Sequence, residues 1–139
     1  MDEIKEMLRA TNLKATPQRL AILEEIKKAG HIDLETIYKN ISEHFPSMSL
    51  ATVYKNIHTL KRYGLIKELA ISGAKSKYEI AFQKPHHHLI CKVCGDVIDI
   101  ELDTSFLEKQ LKEIRDFEIS SCDIYCYGIC SKCKNKSQG

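Results

Sequence analysis

Through residue 62 the apolar side chains recur at helical spacing, and beyond it they gather in short runs of β character. The span 2–11 is amphipathic, with Ile4, Met7 and Leu8 on one side. A second helix starts at Thr16-Pro17, a capping hydroxyl followed by proline at the first helical position. Leu20, Leu23 and Ile26 form its stripe, flanked by Ala21 and Ile22, and Gly30 stops it. Asp33 can cap a third helix carrying Leu34, Ile37, Tyr38, Ile41 and Phe45, which Pro46 ends. Ser49 caps a fourth, where Leu50, Val53, Tyr54, Ile57 and Leu60 make the apolar stripe and Gly64 supplies the stop.

Two apolar-rich runs follow, 65–71 and 77–82, separated by Ser72-Gly73-Ala74, which reads as a hairpin. Helices followed by a hairpin is the plan of a winged helix. The polar stretch Gln83-Lys84-Pro85 marks a hinge, giving a first domain over 1–82, a linker over 83–85 and a second domain over 86–139. In the second domain, 88–91 and 97–102 read as strands. Leu107, Leu111 and Ile114 form a helical stripe, 117–127 reads as a further strand, and the polar tail after Cys133 is expected to fray. The fold class expected is therefore α+β, a winged helix plus a small α/β domain.

Composition narrows the class. The 139 residues are 43% hydrophobic and 29% charged, values of an ordinary globular protein. No run approaches the roughly 18 apolar residues of a membrane span. The charged start Met1-Asp2-Glu3 lacks the apolar core of a signal peptide, so a cytoplasmic location is expected. The net charge of +2 excludes binding to nucleic acid by bulk charge alone. Its distribution says more. From His44 to Lys67 there are four basic residues and no acidic one. On the fourth helix the face opposite the apolar stripe carries Ala51, Thr52, Lys55, Asn56, His58, Thr59 and Arg62. Such an acid-free face suits phosphates and base edges; the plainer alternative is a solvated helix surface.

Six cysteines are many for a chain of this size in a reducing compartment, so metal ligation or redox chemistry is favoured over disulfides. Cys91-Lys92-Val93-Cys94 and Cys130-Ser131-Lys132-Cys133 are two CxxC pairs. Each can bring two sulfurs to a shared metal, and Gly95 permits the turn of the first. Four thiolates close a tetrahedral zinc shell, which points to a structural site. The alternative is two buried or redox-active pairs. The 35 residues between the pairs require a small subdomain between them. Cys122 and Cys126, four apart on the expected strand, read as small core hydrophobes, with a second thiol role as the alternative.

A second constellation is His86-His87-His88, with Glu79 and Asp99 nearby. On a strand His86 and His88 share a face and His87 points away. Imidazole with carboxylate and no thiolate suits Fe, Mn or Zn in a reversible shell; an exposed histidine run is the alternative. His31, just beyond Gly30 in the first domain, adds a possible ligand. An ion held by His31 together with His86, His88 and Asp99 would bias the arrangement of the two domains and so act as a switch.

At Ala15-Thr16-Pro17-Gln18-Arg19, at 49–56 (Ser-Leu-Ala-Thr-Val-Tyr-Lys-Asn), at 86–95 and at the closing CxxC, the sequence resembles the ferric uptake regulator family. The likeness runs over nearly the whole chain and is nearest to the peroxide-responsive branch. It implies a homodimeric, metal-dependent transcriptional repressor on AT-rich inverted-repeat DNA, with no enzymatic activity. It implies DNA contacts from Lys14, Arg19, Ser49, Thr52, Tyr54, Lys55 and Asn56. Zinc would sit on Cys91, Cys94, Cys130 and Cys133. A regulatory Fe(II) or Mn(II) would sit on His31, Glu79, His86, His88 and Asp99. Peroxide would release the DNA by iron-catalysed oxidation of a ligand histidine, His31 or His86. Asp99 resembles the peroxide-responsive branch, whereas Glu79 and its spacing to His86 resemble the iron-responsive one. An additional family site is incomplete, since His87 is present but Pro85 and Cys122 stand where histidines are common. Iron or zinc supply is the alternative signal. A metal-assisted hydrolase is the rival of another class, and it leaves the acid-free helix without a purpose.

Overall fold

The computed structural model describes residues 2–137; residue 1 of the first domain and residues 138–139 of the expected tail lie outside it. The chain divides between Gln83 and Lys84 into two compact units. The first contains α1 (Asp2–Thr11), α2 (Pro17–Ala29), β1 (Ile32–Asp33), α3 (Leu34–Ile41), α4 (Leu50–Arg62), β2 (Ile66–Leu69) and β3 (Lys77–Ile80). The second contains β4 (His87–Cys91), β5 (Val97–Ile100), α5 (Ser105–Ile114), β6 (Tyr125–Gly128) and α6 (Ser131–Ser137).

In the first unit the helix starts follow the capping chemistry. Thr16 accepts the Arg19 N–H, Asp33 that of Thr36, and Ser49 that of Thr52. Gly30 ends α2 at φ +82°, a conformation that excludes most side chains even though a Cβ there would meet nothing within 4 Å. Ile4 and Leu8 of α1 join Ile22, Leu23, Ile26, Ile37, Val53, Ile57 and Leu60 in one core, closed by Leu65, Ile66, Tyr78 and Ile80 from the wing. The wing is a three-stranded antiparallel sheet in the order β1-β3-β2. Helices with this hairpin make a winged helix.

Four local expectations change here. Ile22 is fully buried, so α2 turns its centre rather than its flank to the core. α3 stops at Ile41, a turn before Pro46, which disfavours helical geometry at Phe45; Phe45 still packs against the core from outside the helix. On α4 only Val53, Ile57 and Leu60 are buried, while Leu50 and Tyr54 are 40% and 59% exposed. Tyr54 stands roughly a quarter turn from the mean direction of those three, which takes it out of the apolar stripe. The fourth change is the strand β1, two residues long and without a periodic signal.

The second unit is a three-stranded sheet in the order β5-β4-β6, with β4 antiparallel to β5 and parallel to β6. Of the expected strand over 117–127 only the end forms, as Tyr125–Gly128, where it pairs with His88–Cys91 of β4. Phe117 is consequently exposed. Cys126 is exposed on β6 and Cys122 is half-buried outside any strand, so neither is a core hydrophobe. The described part of the tail, through Ser137, is helical rather than frayed: α6 follows directly on Cys130, with the Lys134 N–H donating to the Cys130 carbonyl at 2.9 Å. No side chain of α5 is buried, and Phe106, Leu107, Leu111 and Ile114 are all exposed. Among the described residues no helix is long and apolar enough to cross a membrane.

Candidate metal centres and nucleic-acid interface

The four cysteines of the two CxxC pairs form one cluster, with sulfur atoms all within 4.8 Å of one another. Cys91 ends β4, and the chain turns back through Gly95 at φ +81°, whose N–H donates to the Cys91 carbonyl at 3.0 Å. The second pair arrives on the strand beside it, since β6 runs parallel to β4 and delivers Cys130 directly before α6. The N–H groups of Cys94 and Cys130 point at the Cys91 sulfur, at 3.5 and 3.4 Å. These donors pull the Cys91 thiol down to about 6. Hydrogen bonding with Cys130, and then burial, push Cys133 up to about 12. Cys94 is also raised. One thiolate therefore sits beside two thiols, Cys94 and Cys133, that resist ionising, and a divalent cation is what would let the cluster bind as thiolates. The donor set fits zinc in a closed, structural shell. The ion pair of Lys132 Nζ with Asp96 Oδ2, at 3.1 Å, ties the two turns together. Sequence reasoning missed this clasp, which no spacing rule announces.

Imidazole and carboxylate donors stand in each of the two units. In the first, β1 pairs antiparallel with β3 in the register Ile32↔Tyr78, so one further step sets His31 opposite Glu79. His31 Nε2 lies 3.3 Å from Glu79 Oε2, and that carboxylate is buried. A buried carboxylate requires a cationic or hydrogen-bonding partner. The two-residue strand β1 is what supplies it.

In the second unit His88 and Asp99 are direct partners across β4 and β5, with Nε2 3.3 Å from Oδ1. His86 lies before the strand rather than on it, and its Nε2 is 3.6 Å from the same carboxylate oxygen. Its Nδ1 is 2.8 Å from the Lys84 carbonyl. A carbonyl only accepts, so Nδ1 carries the proton and Nε2 is the nitrogen left to face Asp99 or a metal. His87 is set the other way. Its Nδ1 accepts the Ile124 N–H at 3.0 Å, which makes this buried ring part of the β4–β6 frame. Tyr125, 5.5 Å from the His88 ring between centroids, flanks the site and carried no signal in the sequence.

The residues expected at DNA all lie in the first unit. Tyr54 and Lys55 are exposed on α4, and Ser49 and Thr52 share its first turn, their hydroxyls 3.0 Å apart. Lys14 is exposed in the turn before α2. Arg19 and Asn56 are half-buried and joined to each other, Arg19 Nε donating to Asn56 Oδ1 at 3.3 Å.

A sequence profile of the ferric uptake regulator family matches residues 10–127. The chain is 35% identical to the peroxide operon regulator of Bacillus subtilis, an alignment covering 98% of this chain and 94% of that one. It is 31% identical to the peroxide-responsive repressor PerR of Staphylococcus aureus, covering 98% and 93%. Among solved structures, the ferric uptake regulator of Vibrio cholerae superposes with a TM-score of 0.76 at 30% identity, covering 90% of this chain and 98% of that one.

Proposed function

The chain belongs to the ferric uptake regulator family, and from that premise we propose a metal-dependent transcriptional repressor that leaves its operator when peroxide oxidises a metal ligand. The observation that carries this reading is the His88–Asp99 pair, a nitrogen and oxygen donor set separate from the four-thiol cluster. Thiolates suit a permanent zinc, whereas imidazole and carboxylate suit an exchangeable Fe(II) or Mn(II). His31 with Glu79, and His86 and His88 with Asp99, are each too few donors for a six-coordinate ion. In this proposal one ion takes ligands from both sets and so favours one arrangement of the two units.

The DNA-facing surface is proposed to be Lys14 and Arg19 with Ser49, Thr52, Tyr54, Lys55 and Asn56, on an AT-rich inverted repeat. A two-fold site calls for a two-fold protein. The exposed apolar side chains of α5 are the proposed contact with a second copy in a cytoplasmic homodimer. The peroxide assignment is supported by the peroxide regulators of Bacillus subtilis and Staphylococcus aureus among the relatives and by Asp99. Hydrogen peroxide would be the two-electron oxidant and Fe(II), when bound, the redox catalyst: one peroxide oxygen would be inserted at a ring C–H of His31 or His86, the other would leave as water, and the oxidised ring would be a poorer ligand. A second reading, response to iron supply, is favoured by Glu79.

The test is an electrophoretic shift on an AT-rich inverted repeat with zinc-loaded protein carrying Fe(II) or Mn(II), followed by hydrogen peroxide. Release with Fe(II) but not with Mn(II), with the mass of one oxygen atom added to the His31 or His86 peptide, is expected. Equal persistence with both metals would replace the peroxide reading by metal supply. Binding that needs no added metal would overturn the sensor reading altogether.

A further inference from the structure

Arg19 is the hub of a set of hydrogen bonds that joins three segments of the first unit. Its own N–H donates to the Thr16 hydroxyl at 3.2 Å, which caps α2. Its guanidinium Nη1 donates to the Lys14 carbonyl at 2.9 Å, and the Thr16 N–H donates to that same carbonyl at 3.2 Å. Its Nε donates to Asn56 Oδ1 on α4, 37 positions away, at 3.3 Å. The other end of the Asn56 amide donates to the Thr52 carbonyl at 3.2 Å.

Two consequences follow. An asparagine that reads adenine presents the oxygen and nitrogen of its amide together; in Asn56 one acceptor site and one donor site are already taken inside the protein, which fixes the plane of the amide. A guanidinium is a rigid planar fork, so two of its donors used inside the protein fix the direction of the rest. We infer that Arg19 is a positioning residue that locks the Lys14 turn to the reading helix α4, with Asn56 as its anchor on that helix. The turn and the helix then meet DNA as one body at a fixed separation. Lys14, Tyr54 and Lys55 make the contacts; Arg19 and Asn56 hold them in register. The inference rests on the DNA-binding reading above and narrows it, moving Arg19 and Asn56 from the contacts to their support.

Lysine separates this role from a phosphate contact, because it keeps the charge and loses the fork. The measurement uses full-length, metal-loaded protein, the operator that the wild type selects from a randomised AT-rich inverted repeat, and a scrambled duplex. Both are titrated over a range of salt. For Arg19→Lys and Arg19→Gln alike, the preference for operator over scrambled DNA is expected to fall about tenfold, with the salt slope unchanged. Asn56→Ala should do the same, and the double variant Arg19→Lys/Asn56→Ala should lose no more than the worse single one. Thermal melting of each variant identifies loss of fold, and the pair Arg19→Lys and Arg19→Gln keeps the test decisive if Asn56→Ala unfolds.

A phosphate contact gives the opposite pattern. Arg19→Lys would stay near wild type, and Arg19→Gln would lower the salt slope by about 0.9 per protomer and weaken both duplexes equally. That pattern, or losses that multiply in the double variant, overturns the inference while leaving the DNA-binding reading intact. A wild type with no preference for any selected duplex overturns that reading, and the inference with it.

Discussion

His88 and Asp99 face each other across the β4–β5 ladder, with the imidazole Nε2 3.3 Å from the carboxylate Oδ1. The ring is buried and the carboxylate is 42% exposed, so the acid reaches in from the solvent side. Removing it by Asp99→Ala leaves the strand pairing intact and deletes one donor from the proposed regulatory site. The expected result is an unchanged melting temperature, with Mn(II) affinity falling by more than the about 10–100-fold that the loss of an outer partner costs. Titration calorimetry with Mn(II) on zinc-loaded protein measures it. An affinity equal to wild type would remove Asp99 from the site.

Loss of one zinc-type ligand should be local. The second unit buries few apolar side chains and none from α5, so its order is expected to depend on the four-sulfur cluster. The first unit has a core of its own. Cys130→Ala, or strong chelation of the wild type, is therefore expected to abolish protection from hydrogen exchange in β4 and β6. Protection in α2 and α4 should persist. Uniform loss across both units would contradict this division, and full protection everywhere would show that the cluster does not hold the fold. Asp96→Ala opens the exposed clasp to Lys132 and should leave protection in β4 and β6 in place.

What was legible in the sequence was chiefly what short-range chemistry decides. Thr16, Asp33 and Ser49 announced three helix starts, and the two CxxC pairs announced a four-thiol cluster. The misreadings have long-range causes. How much of 117–127 forms a strand depends on its pairing with β4, and whether Tyr54 is buried depends on how α4 is turned against α2 and α3. Neither is written in the local pattern. β1 is too short to show a period, yet its pairing with β3 is what sets His31 beside Glu79. The bond between Arg19 and Asn56 spans 37 positions, and each residue alone reads as a contact to DNA.

Lys55 is exposed on α4 without an acidic neighbour in the helix, and contributes charge to the face proposed to lie on DNA. Lys55→Ala should leave the fold untouched. If Lys55 meets a phosphate, affinity falls evenly across sequences and the salt slope drops by about 0.9 per protomer. If it meets a base edge, the loss concentrates at one position of each half-site, by about 1–3 kcal/mol. Binding to a panel of singly substituted operators over a salt series distinguishes the two. No loss of either kind would take α4 out of the interface at this point.

Asp33 gives the first unit an acid-sensitive joint. Its carboxylate caps α3, accepting the Thr36 N–H at 2.7 Å, and its backbone belongs to β1. Burial alone would raise its pKa. The hydroxyl and N–H of Thr36, with Lys75 and Lys77 nearby, outweigh that and hold it below the ordinary 3.8. A carboxylate depressed on folding stabilises the fold above its unfolded value, and the contribution is lost as pH falls through the folded value. Asp33→Ala should therefore cost about 0.5–2 kcal/mol at neutral pH. The gap to wild type should narrow as the solution is acidified below the ordinary carboxylate value. Asp33→Asn keeps a capping oxygen without the charge, so its stability relative to Asp33→Ala should not change with pH. Thermal melts of the three proteins across the acid range supply the comparison. A gap between wild type and Asp33→Ala that stays constant or widens on acidification would mean that the cap does not depend on the ionised carboxylate.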